Sequence, residues 1–190
     1  MFGAASLAVC IACGGGGGGN TNTTGSATVN GTVGGLSLPA SDAVSNVVAV
    51  SGQTAGAILI SSTANACATI SANNLFKNAQ VLLISIGTQN AGTTTAPSSP
   101  GTYPVFSSAD SISQTGKVAV AVFVATNSLC MASPSEGISG TVTLTRVDST
   151  GYAGTFDITF SGGTGQLTGS FTTALCTPLN PNSGSGGHCV

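Results

Sequence analysis

Thr141-Val142-Thr143-Leu144-Thr145-Arg146-Val147, Thr155-Phe156-Asp157-Ile158-Thr159-Phe160 and Gln166-Leu167-Thr168-Gly169-Ser170-Phe171 are the stretches that decide the fold. Apolar and polar residues alternate along each, which is the period of a strand with one buried and one wet face. The segments between them, Asp148-Ser149-Thr150-Gly151 and Ser161-Gly162-Gly163-Thr164-Gly165, carry the turn-forming residues that short hairpin loops use. Three antiparallel strands in a meander follow. Val142, Leu144, Phe156, Ile158, Phe160, Leu167 and Phe171 are expected to face the core, and Thr143, Asp157, Thr159 and Thr168 the solvent.

Working upstream, Ala27 to Val33, Ala43 to Val50, Ala57 to Ser61, Gln80 to Ile86, Gly101 to Phe106 and Lys117 to Ala125 are β-branched or apolar runs bounded by Gly, Pro, Ser and Asn. In Lys117 to Ala125 the valines 118, 120, 122 and 124 share one face and Ala119, Ala121 and Phe123 the other. A strand apolar on both faces belongs in the middle of a sheet. Only Asn65 to Phe76 has helical spacing, through Ala66, Thr69, Ile70 and Asn73. The absence of alternating helices argues against a parallel α/β sheet. The expected fold is an all-β, antiparallel β-sandwich of about eight to nine strands with one short helix, and a lipocalin-like β-barrel is the alternative.

Composition narrows the function classes. Of 190 residues 41% are apolar and only 4% charged, so Thr, Ser, Asn, Gln and Gly must form the wet surface. Three basic and five acidic residues, scattered singly, give a formal charge of −2, and there is no Trp. Neither a phosphate-binding stripe nor a base-stacking platform can be assembled from them, so no nucleic-acid partner is expected.

The N-terminus reads as an address. Phe2 to Ala12 is an apolar run shorter than the roughly 20 residues a membrane span needs, but of the length of a secretory h-region. Ala12-Cys13 ends it with a small residue before a cysteine, as a lipoprotein signal does. Cys10, preceded by the bulky Val9, is the alternative lipidation site. No Lys or Arg precedes the run, which points to a true start upstream of Met1. Gly14 to Ser26 is Gly, Asn, Thr and Ser, a linker composition. The expected organisation is a signal over 1–13, a tether over 14–26, a β-domain over 27–176 and a Gly/Ser/Pro-rich tail over 177–190 tied by a disulfide. The partner implied is a membrane, reached through an N-terminal lipid; the address is the outer membrane or periplasm-facing envelope.

Downstream of the signal stand Cys67, Cys130, Cys176 and Cys189, an even number in an exported chain, which reads as two disulfides. Of three possible pairings, Cys176 with Cys189 and Cys67 with Cys130 is preferred, because the first closes a short Pro-Asn-Ser-Gly loop. A zinc set of His188, Cys189 and Cys176 lacks paired C-x-x-C spacing. Catalytic constellations are weak. His188 is the single histidine and sits in the tail. The carboxylates Asp42, Asp110, Glu136, Asp148 and Asp157 are isolated, and sugar stacking would have only Tyr103 and Tyr152 to use. Catalytic residues, metal ligands and cofactors are therefore all expected to be none.

At the meander, Ser139-Gly140-Thr141-Val142-Thr143-Leu144, Gly154-Thr155-Phe156-Asp157-Ile158-Thr159-Phe160 and Leu167-Thr168-Gly169-Ser170-Phe171 with Cys176 resemble a group of uncharacterised bacterial lipoproteins. Those similar proteins carry an ACGGG-type leader and a G-T-V first strand, matched here by Gly31 to Gly34. The resemblance runs loosely over 27–176 and closely over the last third. It implies the envelope address and the β fold, and it carries no activity with it. The function expected is an exported, lipid-anchored binding or structural module. The alternatives are a carrier of an apolar ligand, in a barrel lined by Leu83, Val120, Phe156 and Phe160, and a hydrolase with an unrecognised site.

Overall fold

The computed structural model describes residues 24–163, 165–179 and 187–189. In chain order the elements are β1 (Ser26–Val33), β2 (Asp42–Val50), β3 (Gln53–Ser61), α1 (Ala66–Ser71), β4 (Asn74–Leu75), β5 (Gln80–Asn90), β6 (Thr93–Thr95), β7 (Gly101–Pro104), α2 (Ser108–Ser111), β8 (Gly116–Thr126), β9 (Ala132–Asp148), β10 (Gly151–Phe160), β11 (Gly165–Thr172), β12 (Ala174–Leu175) and β13 (His188–Cys189).

The meander forms as the alternation dictates. β10 pairs antiparallel with both β9 and β11, and β1 adds to the free side of β11. Val142, Leu144, Phe156, Ile158, Phe160, Leu167 and Phe171 are all buried in one core cluster. β8 lies fifth in the strand order β1-β11-β10-β9-β8-β5-β3-β2-β12, and both of its faces carry buried residues, as its doubly apolar sequence requires.

The class is all-β, and the architecture falls between the two expected ones. Eleven strands form a single hydrogen-bonded sheet that curls on itself into a half-barrel. Its two halves face one another because β9 serves both. The first part of this 17-residue strand pairs with β8 through Ala132 to Glu136, and the later part with β10. Its register slips against β10 at Ile138 and again at Thr145, two bulges that bend the strand and turn the sheet. β7 fills the wedge so opened, pairing with Thr141 to Leu144 on one side and reaching Ala119 of β8 through Val105.

Inside the curl, Phe123 and Phe160 meet edge to face at 6.3 Å, and Phe156 stacks near Phe171 at 6.4 Å. The Tyr152 ring crosses from β10 to the wall formed by β3 and β5. A Cβ at Gly56 would lie 2.9 Å from the Tyr152 hydroxyl and 3.0 Å from Ile86 Cγ1. Side chains therefore fill the interior where these walls meet.

A second cluster lies on the outer face of β2, β3 and β5. Val44, Val48, Ala57, Leu59, Val81 and Leu83 are covered there by Ala66 and Ile70 of α1, Phe76, Cys176 and Leu179. The helix is shorter than the expected Asn65 to Phe76. Asn73 adopts φ 56°, a left-handed conformation that asparagine tolerates and that ends helices, after which Asn74 and Leu75 join β13 as a strand. The tail thus supplies both cover and a short strand.

Where the curled sheet brings β2 toward β10 and β12, side chains continue the hydrogen bonding. The Asp42 carboxylate, 2% exposed, accepts N–H groups from Gly25 (3.1 Å), Ala43 (2.8 Å) and Ala66 (2.8 Å). Ser45 Oγ lies 2.6 Å from Thr173 Oγ1, which accepts the Tyr152 N–H at 2.8 Å. The Cys176 N–H donates to the Ser45 carbonyl at 2.8 Å. Asp42, one of the eight charges scattered singly along the chain, is thus a buried one: three amides at the seam, those of Ala43 and Ala66 buried and that of Gly25 half-buried, need an acceptor, and this carboxylate is it.

Candidate functional site

The four cysteines form two bridges, and the pairing differs from the expected one. Cys67 of α1 bonds to Cys176 just after β12, with Cα atoms 5.6 Å apart and 109 residues between them in sequence. Cys130, in the loop after β8, bonds to Cys189 of β13, at 5.8 Å and a separation of 59. The preference for Cys176 with Cys189 weighed only the short loop between them. The ladders decide otherwise: β12 runs parallel to β2 and buries Cys176 under α1, whereas β13 runs parallel to β4 and leaves Cys189 exposed beside the β8–β9 loop. The zinc set is dispersed by the same bonds, since Cys176 and Cys189 belong to different bridges, and His188 is an exposed residue whose N–H donates to the Asn73 carbonyl at 2.8 Å.

The isolated carboxylates all have structural duties. Glu136 accepts the Ser108 N–H at the start of α2, and the same turn is capped by Ser107, whose hydroxyl accepts the Asp110 N–H and donates to the Asp110 carboxylate. Asp148 closes its hairpin by accepting the Thr150 N–H at 2.8 Å and the Thr150 hydroxyl, which hold its carboxyl below the usual aspartate range. Arg146 Nε is 3.2 Å from the same carboxylate, but both side chains are about two-fifths exposed, so solvent screens the ion pair and the hairpin does not depend on it. Asp157 accepts from the Gln166 amide across β10 and β11. Tyr103 and Tyr152 are 2% and 3% exposed, so neither presents a ring for a sugar to stack on. Burial raises both phenols above the ordinary tyrosine value, and the Lys117 ammonium sits 5.2 Å from the Tyr103 ring centre.

The residues considered for an apolar-ligand cavity do not share one space. Phe156 and Phe160 point into the filled interior, while Leu83 lies in the outer cluster and Val120, paired with Ser85, is on that same outer face. Alternation along each strand separates them.

What the fold does assemble is a rim at the ends of β2, β3, β5 and β8. Thr63, Thr69 and the run Asn74 to Asn78 surround an open cleft of about 330 Å3, offering hydroxyls, amides and the Lys77 ammonium. Asn78 donates its N–H to the Asn127 carbonyl at 3.2 Å, which joins the cleft to the β8–β9 loop. That loop is braced from within. Asn127 Oδ1 accepts the N–H groups of Leu129 (2.9 Å) and Met131 (3.0 Å), and Cys130, at φ 56°, is held by its bridge to Cys189. Leu129 and Met131 are left 75% and 65% exposed. Sequence reasoning passed over this loop; the signal available was an asparagine followed by two apolar residues flanking a cysteine.

Among the described residues no helix is long and apolar enough to cross a membrane. The lipidation candidates Cys13 and Cys10 lie outside the described residues. Comparison of the chain with protein-family models, curated proteins and solved structures returns no match.

Proposed function

We propose that the chain is an exported cell-envelope protein, anchored through a lipid on Cys13, with Cys10 as the alternative, and that its β-domain acts as a binding or structural module. The observation that carries this reading is the pair of disulfides between segments 109 and 59 residues apart. Such bridges persist in oxidising compartments and are rare in reducing ones. A leader that ends in Ala12-Cys13 and a run of six glycines before the domain supports the anchored form of that address. The engaged carboxylates and the polar rim support a module over a catalyst: the rim offers hydrogen-bonding groups and two exposed apolar side chains, the furniture of contact rather than of bond cleavage.

Metabolic labelling with a fatty acid in the wild type, Cys13→Ala and Cys10→Ala tests the anchor. Label present in the wild type and in Cys10→Ala but lost in Cys13→Ala is the expected result. No label in the wild type, or label retained in both variants, overturns it.

A further inference from the structure

The β8–β9 loop holds the two most exposed large apolar side chains that lie close together in the chain, in a segment stiffened by Asn127 and by the Cys130–Cys189 bridge. Two exposed apolar side chains are common on protein surfaces, and they mark a contact only where the rest of the molecule indicates an occupant. The loop's place in the fold indicates one. Asp42 pairs with Ser61, Ser61 with Val81 and Val81 with Val124, so the start of β2 and the end of β8 lie on one rim, three strands apart. At about 4.8 Å per strand that is roughly 15 Å. The chain enters the domain at this rim, because the Gly25 N–H is bonded to Asp42. The 11 residue-to-residue steps from Cys13 to Thr24 extend at most about 40 Å.

We propose that the Asn127–Met131 loop is a bilayer contact, with Leu129 and Met131 dipping into the interfacial layer of the membrane to which the N-terminal lipid ties the chain. The proposal rests on the anchored reading above. Lys77, exposed and next to Asn78, puts a cation beside the loop, as an anionic lipid surface favours. The carboxylates do not oppose it: Asp42 is buried, Asp110 and Glu136 are engaged at α2, Asp148 is at the far end of β9, and Asp157 is bonded to Gln166. A protein partner fits less well. Two side chains supply far less than the roughly 800 Å2 per partner of a stable interface, whereas a bilayer demands no shape match and the tether supplies a high local concentration. The braced backbone lowers the ordering cost of insertion.

The chain has no tryptophan, so Leu129→Trp introduces a single reporter. The full-length acylated protein is reconstituted into vesicles of phosphatidylethanolamine and phosphatidylglycerol, with Ile112→Trp, 68% exposed on α2's C-terminal turn, as the comparison. Expected is a blue-shifted emission and a several-fold loss of acrylamide quenching for Leu129→Trp, with Ile112→Trp remaining water-like. The Cys13→Ala, Leu129→Trp double variant keeps a weaker version of the shift, and adding Met131→Ser diminishes it further. Water-like emission from Leu129→Trp in protein that carries fatty-acid label overturns the contact and leaves the anchor standing. A vesicle-dependent shift in protein without label supports the contact and removes the anchor. A blue shift without vesicles, accompanied by a doubled mass, assigns the loop to a protein interface and overturns the proposal.

Discussion

Asp42 shows how far a single residue's role depends on what folds around it. In sequence it is one of five dispersed carboxylates, and in the fold it gathers the N–H groups of Gly25, Ala43 and Ala66 in a site 2% exposed. Asp42→Ala would strand two buried donors, the Ala43 and Ala66 amides, and the half-buried Gly25 amide. A loss of about 3–4 kcal/mol is expected from the unfolding midpoint in denaturant, and Asp42→Asn, which keeps one acceptor oxygen, should lose less. The tyrosines give a prediction of opposite character. Burial raises the phenols of Tyr103 and Tyr152 in the fold, Tyr152 also by its neighbour Tyr103, above the 10.0 of an unfolded chain. Below that pH both states are protonated and the stabilisation is fully present. Above it the unfolded chain ionises first, so stability falls as pH rises. Phenolate absorbance should therefore appear later in native than in denatured protein, and a native titration near 10 would contradict the burial.

At the scale of elements, the meander was legible because strand alternation is local, and every residue assigned to its core face is buried. The bends of β9 were not, because a bulge is a relation between two strands. Gly140 illustrates it. At φ 119° it brings its Cα so close to β10 that a Cβ would lie 2.0 Å from the Asp157 carbonyl oxygen. Gly140→Ala must move one strand or the other, and a loss of at least about 2 kcal/mol in thermal or chemical unfolding is expected. The disulfides follow the same logic. Four cysteines signal two bridges, but which sulfurs meet depends on β12 docking on β2 and β13 on β4. A non-reducing peptide map should recover Cys67 joined to Cys176 and Cys130 joined to Cys189; a Cys176–Cys189 peptide would refute the topology of the outer layer. Loops this long make each bridge worth up to about 4–5 kcal/mol in the chain-entropy picture, to be read from Cys67→Ala/Cys176→Ala and Cys130→Ala/Cys189→Ala.

Across the whole molecule, stability should be graded by layer. β3, β5 and β8 carry buried residues on both faces, while β1 is an edge strand with largely exposed side chains. Amide exchange should be slowest in those three central strands and fastest in β1, and reduction should speed exchange in α1 and β4 before it reaches β8. Uniform protection across the sheet would count against this order. The amino-acid sequence by itself determined the β class, the core face of the meander, the central position of Lys117 to Ala125 and the presence of two bridges. All of these follow from residue type and from spacing along the chain. Only the tertiary structure decided that the sheet curls into one half-barrel, that Asp42 is buried, how the cysteines pair, and that Leu129 and Met131 stand out beside the chain's point of entry. These are meetings of residues distant in the chain, 17 positions apart for Gly25 and Asp42 and 109 for Cys67 and Cys176, and their proximity is set by strand order and bulges that no local pattern encodes.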